Sequence, residues 1–214
     1  MKLFISPGAC SLAPHIALRE TGADFEAVKV DLALRKTEAG EDFLTVNPSG
    51  KVPALTLDSG ETLTENPAIL LYIADQNPAS GLAPAEGSLD RYRLLSRLSF
   101  LGSEFHKAFV PLFAPGTSDE AKAAAAESVK NHLAALDKEL AGRDHYAGNA
   151  FSVADIYLFV MLGWPAYVGI DMAAYPRSAP MPARSRSVPP WVPRSRPKAW
   201  REPDSPTSGI MRWS

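Results

Sequence analysis

Cysteine is nearly absent from the sequence, and the single residue of this type in 214 excludes an intramolecular disulfide. Neither charge is in excess, because 22 basic and 24 acidic side chains leave a net charge of −2. This balance argues against a nucleic-acid-binding protein held by uniform positive charge. Long hydrophobic runs are also missing. The longest, from Ile156 to Ile170, has 15 residues and contains Pro165, whereas a bilayer crossing needs roughly 20.

The remaining composition is that of a soluble globular protein, with 46% hydrophobic and 21% charged residues. The length suits one or two compact domains. The N-terminus has few apolar residues before the break at residues 6–8, so it offers no secretory hydrophobic region. No zinc-protease motif, cysteine cluster, P-loop or dinucleotide-binding motif occurs. We therefore expect a cytoplasmic protein that uses no metal and binds neither nucleic acid nor membrane.

Residues 1–80 alternate between strand and helix patterns. A short apolar run at residues 2–5 is followed by a helix pattern, and then by alternating apolar and charged residues at 28–32. A hairpin pattern at 54–64 precedes a helix that begins at Asn66-Pro67, where Asn can cap the free amides. The predicted order is β-α-β followed by β-β-α, which gives a mixed four-stranded sheet.

The later part of the chain shows only helix patterns. We predict a linker over residues 81–88 and an all-helical domain over 89–176. Leu94, Leu98, Leu101, Phe105 and Phe109 form one stripe of a long helix. Capping boxes are predicted at residues 117–120 and 152–155. The fold class is therefore an α+β domain followed by a helical bundle.

Cys10 lies between the first strand and the first helix. Partial positive charge at a helix N-terminus favours a thiolate, so the position suits a reactive cysteine. Ala13 stands where a second cysteine would complete a C-x-x-C motif, so a second thiol would have to come from a ligand. The alternative is that Cys10 is a small buried hydrophobic residue.

Two further features support a binding role near Cys10. Val52-Pro53 precedes a strand, which suits a special turn and a cis peptide, although an edge-strand proline would look the same. Glu65-Asn66 places a carboxylate beside the free amides of a helix, where a zwitterion can bind, although Asn66 would equally serve only as a cap. Together with Cys10 and the element order, Pro53 indicates a thioredoxin-like fold.

The chain resembles the beta-class (bacterial) glutathione transferases over residues 1 to about 176. The resemblance rests on M-K-L-F-I-S-P-G-A-C-S-L-A-P-H-I, V-N-P-S-G-K-V-P-A-L, T-E-N-P-A-I, S-E-F-H-K and F-S-V-A-D-I-Y-L-F. It implies a thioredoxin-like domain followed by a helical domain, a homodimer, and glutathione as co-substrate in place of a bound cofactor. The expected activity is glutathione conjugation to hydrophobic electrophiles, with a Cys10-dependent thiol-transferase side activity.

The resemblance also implies roles for individual residues. Cys10 and His106 are the expected catalytic residues. The expected glutathione-binding residues are Cys10, Arg35, Val52, Pro53, Glu65, Asn66, Ser99, Ser103, Glu104, Phe105 and His106. Phe109, Phe113 and Trp164 are expected to line the electrophile pocket. A non-catalytic protein that sequesters apolar ligands in the same cleft is the alternative hypothesis.

The sequence departs from the family pattern at two places. Ile5 stands where relatives commonly have Tyr, so no phenol at that position assists the thiol. Residues 177–214 hold eight of the 19 prolines and eight basic against two acidic side chains, where the family continues with an amphipathic helix. We hypothesise that this tail is an out-of-frame replacement of the last helix; a genuine basic recognition tail is the alternative.

Overall fold

The computed structural model describes residues 1–178. Its strands are β1 (Lys2–Ile5), β2 (Glu26–Asp31), β3 (Lys36–Thr37), β4 (Ala54–Thr56) and β5 (Thr62–Thr64). Its α-helices are α1 (Leu12–Thr21), α2 (Asn66–Gln76), α3 (Leu89–Phe100), α4 (His106–Phe113), α5 (Asp119–Glu139) and α6 (Val153–Leu162). All strands thus precede residue 65, and the elements after residue 88 are helical.

The strands form a mixed sheet in the order β3-β2-β1-β4-β5. β1 pairs in parallel with β2, Lys2 opposite Glu26, and antiparallel with β4, Lys2 opposite Thr56. β5 continues the sheet as the hairpin partner of β4. The central strand β1 is buried along three of its four residues, and the loop that carries Cys10 begins at its end.

The sheet has five strands, so the prediction of four was wrong. The additional strand, β3, has only two residues and pairs antiparallel with the end of β2. A two-residue strand has no alternating pattern, which is why it left no signal in the sequence.

The predicted long helix is also more complex than its stripe of apolar residues indicates. α3 and α4 are joined by a π-helical turn, Leu101–Phe105, and together they run from residue 89 to residue 113. Wide turns of this kind occur mostly as short interruptions inside α-helices and are frequent at functional sites. The predicted site residues Ser103, Glu104 and Phe105 all lie in this turn.

One of the two predicted capping boxes forms. The box predicted at 117–120 does not, because the N-cap of α5 is Ser118, which accepts from the Ala121 amide, and the Thr117 hydroxyl donates to the Ala114 carbonyl. At the start of α6, Ser152 and Asp155 form the full capping box, and the Asp155 carboxylate also accepts from the Tyr146 amide at 2.7 Å. The carboxylate is nearly fully buried, so it ties α6 to the preceding loop.

One continuous apolar core joins the sheet to the helices. It contains Leu3 of β1 and Ile16 of α1 together with Leu98 of α3 and Leu158 of α6. α1 packs against α2 and α6, and α2 packs against α3. The Cys10 turn therefore lies where helices from both parts of the chain meet. No helix of residues 1–178 is long and apolar enough to span a membrane.

The hypothesis about the tail concerns mostly residues 179–214, which lie outside the described residues. The last two described residues, Arg177 and Ser178, donate their amides to the Asp137 carboxylate at 2.7 and 2.9 Å.

Candidate active site

Cys10 lies in the turn between β1 and α1, with Ser11 at the N-cap position of the helix. Its thiol donates to the Val52 carbonyl at 3.4 Å, and the residue is 3% exposed. The Val52-Pro53 peptide is cis, as the sequence indicated. The predicted thiol and the predicted proline turn are therefore in contact across 42 residues of chain.

Burial raises the pKa of the Cys10 thiol to about 12. The Asn66 side chain and the amides of Cys10 and Ser11 act in the opposite direction but do not offset the loss of water, and the Glu65 charge raises the pKa further. The prediction of a thiolate favoured by the helix N-terminus is thus wrong for this structure. At neutral pH Cys10 is a thiol and a hydrogen-bond donor.

Glu65 and Asn66 open α2 beside Cys10. Glu65 is exposed and has a φ of 69°, a left-handed conformation rare for a residue with a side chain. Asn66 is buried, and its Nδ2 donates to the Cys10 carbonyl at 3.3 Å. The expectation that Asn66 caps the helix is wrong, because Glu65 occupies the cap position without a side-chain bond and Asn66 is the first helical residue. The Asn66 side chain instead holds the Cys10 turn.

Arg35 lies near the loop that leads to Val52. A β-carbon at Gly50 would lie 3.7 Å from the Arg35 side chain, so the side chain passes directly beside this loop. The residue is exposed, and its φ is 53°. Arg35 thus places a positive charge beside the loop that leads to Val52.

His106 is the first residue of α4 and faces α6. Its Nδ1 lies 2.9 Å from the Tyr157 hydroxyl. Burial, together with the smaller effects of the nearby Lys107 and Lys51 charges, lowers the pKa of His106 to about 4. The imidazole is consequently neutral at pH 7.

Tyr157 was not among the residues singled out from the sequence. It is 1% exposed, and burial raises the pKa of its phenol well above the ordinary value, with the Cys10 and Glu65 charges adding to this rise. The nearby Asn66 side chain lowers that pKa, as it does for Cys10. The signal available in the sequence was the hydroxyl of a tyrosine on a largely apolar helix. A buried tyrosine hydroxyl usually has a hydrogen-bond partner.

The predicted aromatic residues form one wall. The Trp164 ring makes edge contacts with Phe109, Phe113 and His106 at centroid distances of 5.4, 5.7 and 4.8 Å. The Trp164 Nε1 donates to the Gly8 carbonyl at 3.0 Å, which fixes the wall beside the loop that leads to Cys10. Phe113 is half-buried, whereas Phe109 and Trp164 are buried.

Four of the predicted glutathione-binding residues are either exposed on the helices or buried in the core. Ser99, Ser103 and Glu104 are exposed on α3 and the π turn, and the Ser103 hydroxyl donates to the Glu104 carboxylate. Phe105 is fully buried and packs on Phe109. Its side chain is therefore part of the core. Within residues 1–178, no cluster of three or more His, Cys, Asp or Glu is placed to hold a metal.

Comparison with known proteins identifies the family. Residues 1–75 match the model of the glutathione S-transferase N-terminal domain, and residues 119–202 match that of the C-terminal domain. A glutathione S-transferase, GstA, of Escherichia coli O157:H7 is 43% identical over 172 residues, which cover 80% of this chain and 86% of that protein.

Two solved structures are still more similar in sequence. A sphingomonad glutathione S-transferase complexed with glutathione is 92% identical, covers 88% of this chain and 95% of its own, and superposes with a TM-score of 0.85. The beta-class enzyme of Sphingomonas chungbukensis is 82% identical, with 83% and 89% covered and a TM-score of 0.82. The chain therefore belongs to the glutathione S-transferase family and, within it, to the bacterial beta class.

Proposed function

We propose that this glutathione transferase conjugates glutathione to hydrophobic electrophiles, including aryl and alkyl halides, at the cleft between Cys10 and the aromatic wall. One observation carries the proposal. The Cys10 thiol, the Val52 carbonyl and the Asn66 amide meet at the starts of two helices. The aromatic wall borders the loop before Cys10, because the Trp164 Nε1 donates a hydrogen bond to the Gly8 carbonyl.

The backbone and charged groups around Cys10 suit a γ-glutamyl tripeptide. The chain at Val52, ahead of the cis Pro53, can pair with the cysteinyl backbone of an extended peptide. Free amides at the start of α2 attract the α-carboxylate of the γ-glutamyl end, and the exposed Glu65 attracts its ammonium group. Arg35 supplies a cation for the glycyl carboxylate.

In this arrangement the Cys10 thiol acts as a donor. Because its pKa is about 12, Cys10 keeps its proton at neutral pH and can donate it to the glutathione sulfur in place of the Val52 carbonyl. A donor lowers the pKa of the sulfur that accepts from it. The glutathione thiol gives its proton to water, and the thiolate then attacks the electrophilic carbon, so that a C–S bond forms as the carbon–halogen bond breaks and halide leaves.

The aromatic wall serves the second substrate. Phe113 is the partly exposed ring of this wall, and the buried Trp164 and Phe109 rings pack against it. A supported aromatic ring of this kind attracts flat or apolar molecules. Holding the electrophile beside the thiolate converts a bimolecular encounter into a reaction within one complex. The comparisons favour transfer over the sequestration hypothesis, because the relatives are transferases by name.

A thiol-transferase activity at Cys10 is the second part of the proposal. The Cys10 sulfur attacks a glutathione mixed disulfide, which releases the other thiol and leaves Cys10 bound to glutathione through a disulfide. A second glutathione then attacks this bond, releases oxidised glutathione and restores the Cys10 thiol. This exchange needs the thiolate, so we expect it to be slow at neutral pH and to accelerate as the pH rises.

The remaining predicted residues suit a homodimeric cytoplasmic enzyme. Ser99, Ser103 and Glu104 are exposed on the continuous helical segment formed by α3 and the π turn. We infer that they reach glutathione from across a dimer interface. Size-exclusion chromatography with light scattering tests the dimer directly, and a monomer that retains full activity would contradict this part.

Activity assays of Cys10 variants test the function. Wild-type protein, Cys10→Ser and Cys10→Ala are compared in conjugation of a chlorinated nitroaromatic and in reduction of a glutathione mixed disulfide. We expect thiol transfer to fall by more than about 100-fold in both variants, because each lacks the attacking sulfur. We expect conjugation to fall by about 10-fold in Cys10→Ala and less in Cys10→Ser, which keeps a donor.

Two outcomes would contradict the proposal. Tight binding of the nitroaromatic without turnover by the wild-type protein would support sequestration. Unchanged rates of both reactions in Cys10→Ala would remove Cys10 from the mechanism.

A further inference from the structure

The Tyr157 hydroxyl is buried in the candidate site beside His106. It lies 2.9 Å from the His106 Nδ1, and Tyr157 is 1% exposed. Tyr157 is anchored on α6, whose capping box and apolar packing fix its position.

A phenol has one proton to donate, and its environment decides where that proton goes. Burial raises the pKa of the phenol well above its ordinary value, so the hydroxyl keeps its proton. Within residues 1–178, the His106 Nδ1 is the hydrogen-bond partner of this hydroxyl. The phenol therefore donates to Nδ1, since a neutral imidazole offers one acceptor nitrogen.

We propose that Tyr157 is a positioning residue that fixes His106 in the tautomer with its proton on Nε2. The inference rests on the proposed function for its consequence, because it makes His106 a hydrogen-bond donor toward the sulfur of bound glutathione. The hydrogen bonds then run in one direction, from Tyr157 to His106 to the ligand. The two ring nitrogens lie on different edges of the imidazole, so the Nε2 proton points away from Tyr157.

This role differs from that of a general base. A base needs a free lone pair and a pKa near the operating pH. His106 remains neutral at pH 7, and the phenol occupies its Nδ1 lone pair. A neutral donor at Nε2 stabilises a thiolate without having to take up its proton, and it complements the Cys10 thiol as a second donor from the helical side of the cleft.

The test is a nitrogen NMR measurement on protein without glutathione. Histidine is labelled with ¹⁵N, and the His106 signals are assigned among the four histidines by their loss in His106→Gln. We expect a pyridine-type shift for Nδ1 and a pyrrole-type shift for Nε2 in the wild-type protein. In Tyr157→Phe both shifts should move toward the averaged values of a tautomer mixture, because the donor to Nδ1 is gone.

Tyr146→Phe is the matched control. Tyr146 is also a fully buried tyrosine of the helical part, but its ring lies over Arg97, away from His106. We expect it to leave the His106 shifts unchanged. A wild-type His106 with its proton on Nδ1, or identical His106 shifts in the wild type and Tyr157→Phe, would overturn the proposal.

Kinetics provide the second readout. In conjugation, Tyr157→Phe should lower kcat by about 5- to 10-fold with little change in the KM for glutathione, whereas Tyr146→Phe should change neither. A loss confined to KM would overturn the positioning role. The NMR result does not depend on turnover, so failure of the tautomer assignment is distinguishable from failure of the proposed function.

Discussion

The sheet-bearing region, residues 1–76, and the helical region, residues 89–178, contribute to the cleft in different ways. The sheet-bearing region supplies main-chain groups in unusual backbone conformations, namely the cis Val52-Pro53 peptide and Glu65 at a φ of 69°. The second supplies side chains on regular helices, including His106 and Tyr157. In the proposed function, the sheet-bearing region binds glutathione through main-chain groups and the Glu65 and Arg35 side chains, whereas the helical region binds the electrophile through aromatic side chains. We expect family members to differ in electrophile more than in glutathione recognition.

The largest expected effect concerns the burial of the Cys10 thiol in the sheet-bearing region. With a pKa of about 12 in place of 9.0, its thiolate fraction at pH 8 is about a thousandfold lower than that of an ordinary cysteine. Because the pKa is raised, the thiol loses its proton only at high pH. The rate of alkylation by iodoacetamide should therefore continue to rise by about tenfold per pH unit beyond pH 9.

The same protein unfolded in urea is the control for this measurement. It carries the same single cysteine, so all alkylation occurs at Cys10. The alkylation rate of the unfolded protein should level off near pH 9. A native rate that levels off below pH 8 would mean that the helix N-terminus outweighs burial. The sheet-bearing region would then present a thiolate, as the sequence alone indicates.

The next effect concerns the buried carboxylate that anchors the helical region. Asp155→Ala removes the acceptor for the Tyr146 and Ser152 amides and for the Ser152 hydroxyl. Leaving these buried donors without partners should lower the free energy of unfolding by about 3 kcal/mol, measured by urea denaturation. Ser118→Ala removes an exposed cap and should cost about 1 kcal/mol.

The Asp155 variant also tests whether the two regions unfold together. Cys10 alkylation and far-UV circular dichroism are followed through the same urea series. We expect coincident midpoints, because α1 packs on α6 within one apolar core. Alkylation that begins only after the helical signal has been lost would show that the regions unfold separately.

Much of the molecule could be predicted from the sequence because local patterns specify it. The alternation before Leu32, the stripe along α3 and α4 and the Ser152-Asp155 box each depend on residues close in sequence. The cis peptide before Pro53 belongs to the same group, since the proline itself marks it.

What the sequence could not provide depends on distant contacts. The protonation of Cys10 was predicted wrongly because burial by residues far along the chain outweighs the adjacent helix amides. Tyr157 was missed because its partner His106 is 51 residues away. Phe105 was assigned to the ligand although its position in the apolar stripe already indicated the core where it lies.

The smallest effect concerns the hydrogen bond that joins the two regions at the cleft. Trp164→Phe keeps an aromatic ring but removes the donor to the Gly8 carbonyl, a contact that spans 156 residues. We expect a loss of about 1–2 kcal/mol in stability and an increase of a few fold in Cys10 alkylation at fixed pH, because the loop before Cys10 loses its tie to the helices. Phe113→Leu is the matched control, since it alters the same half-buried wall without touching that hydrogen bond. If the Cys10 alkylation rate were the same in both variants, the aromatic wall would not stabilise the Cys10 loop. The sheet-bearing region would then hold this loop without contacts from the helices.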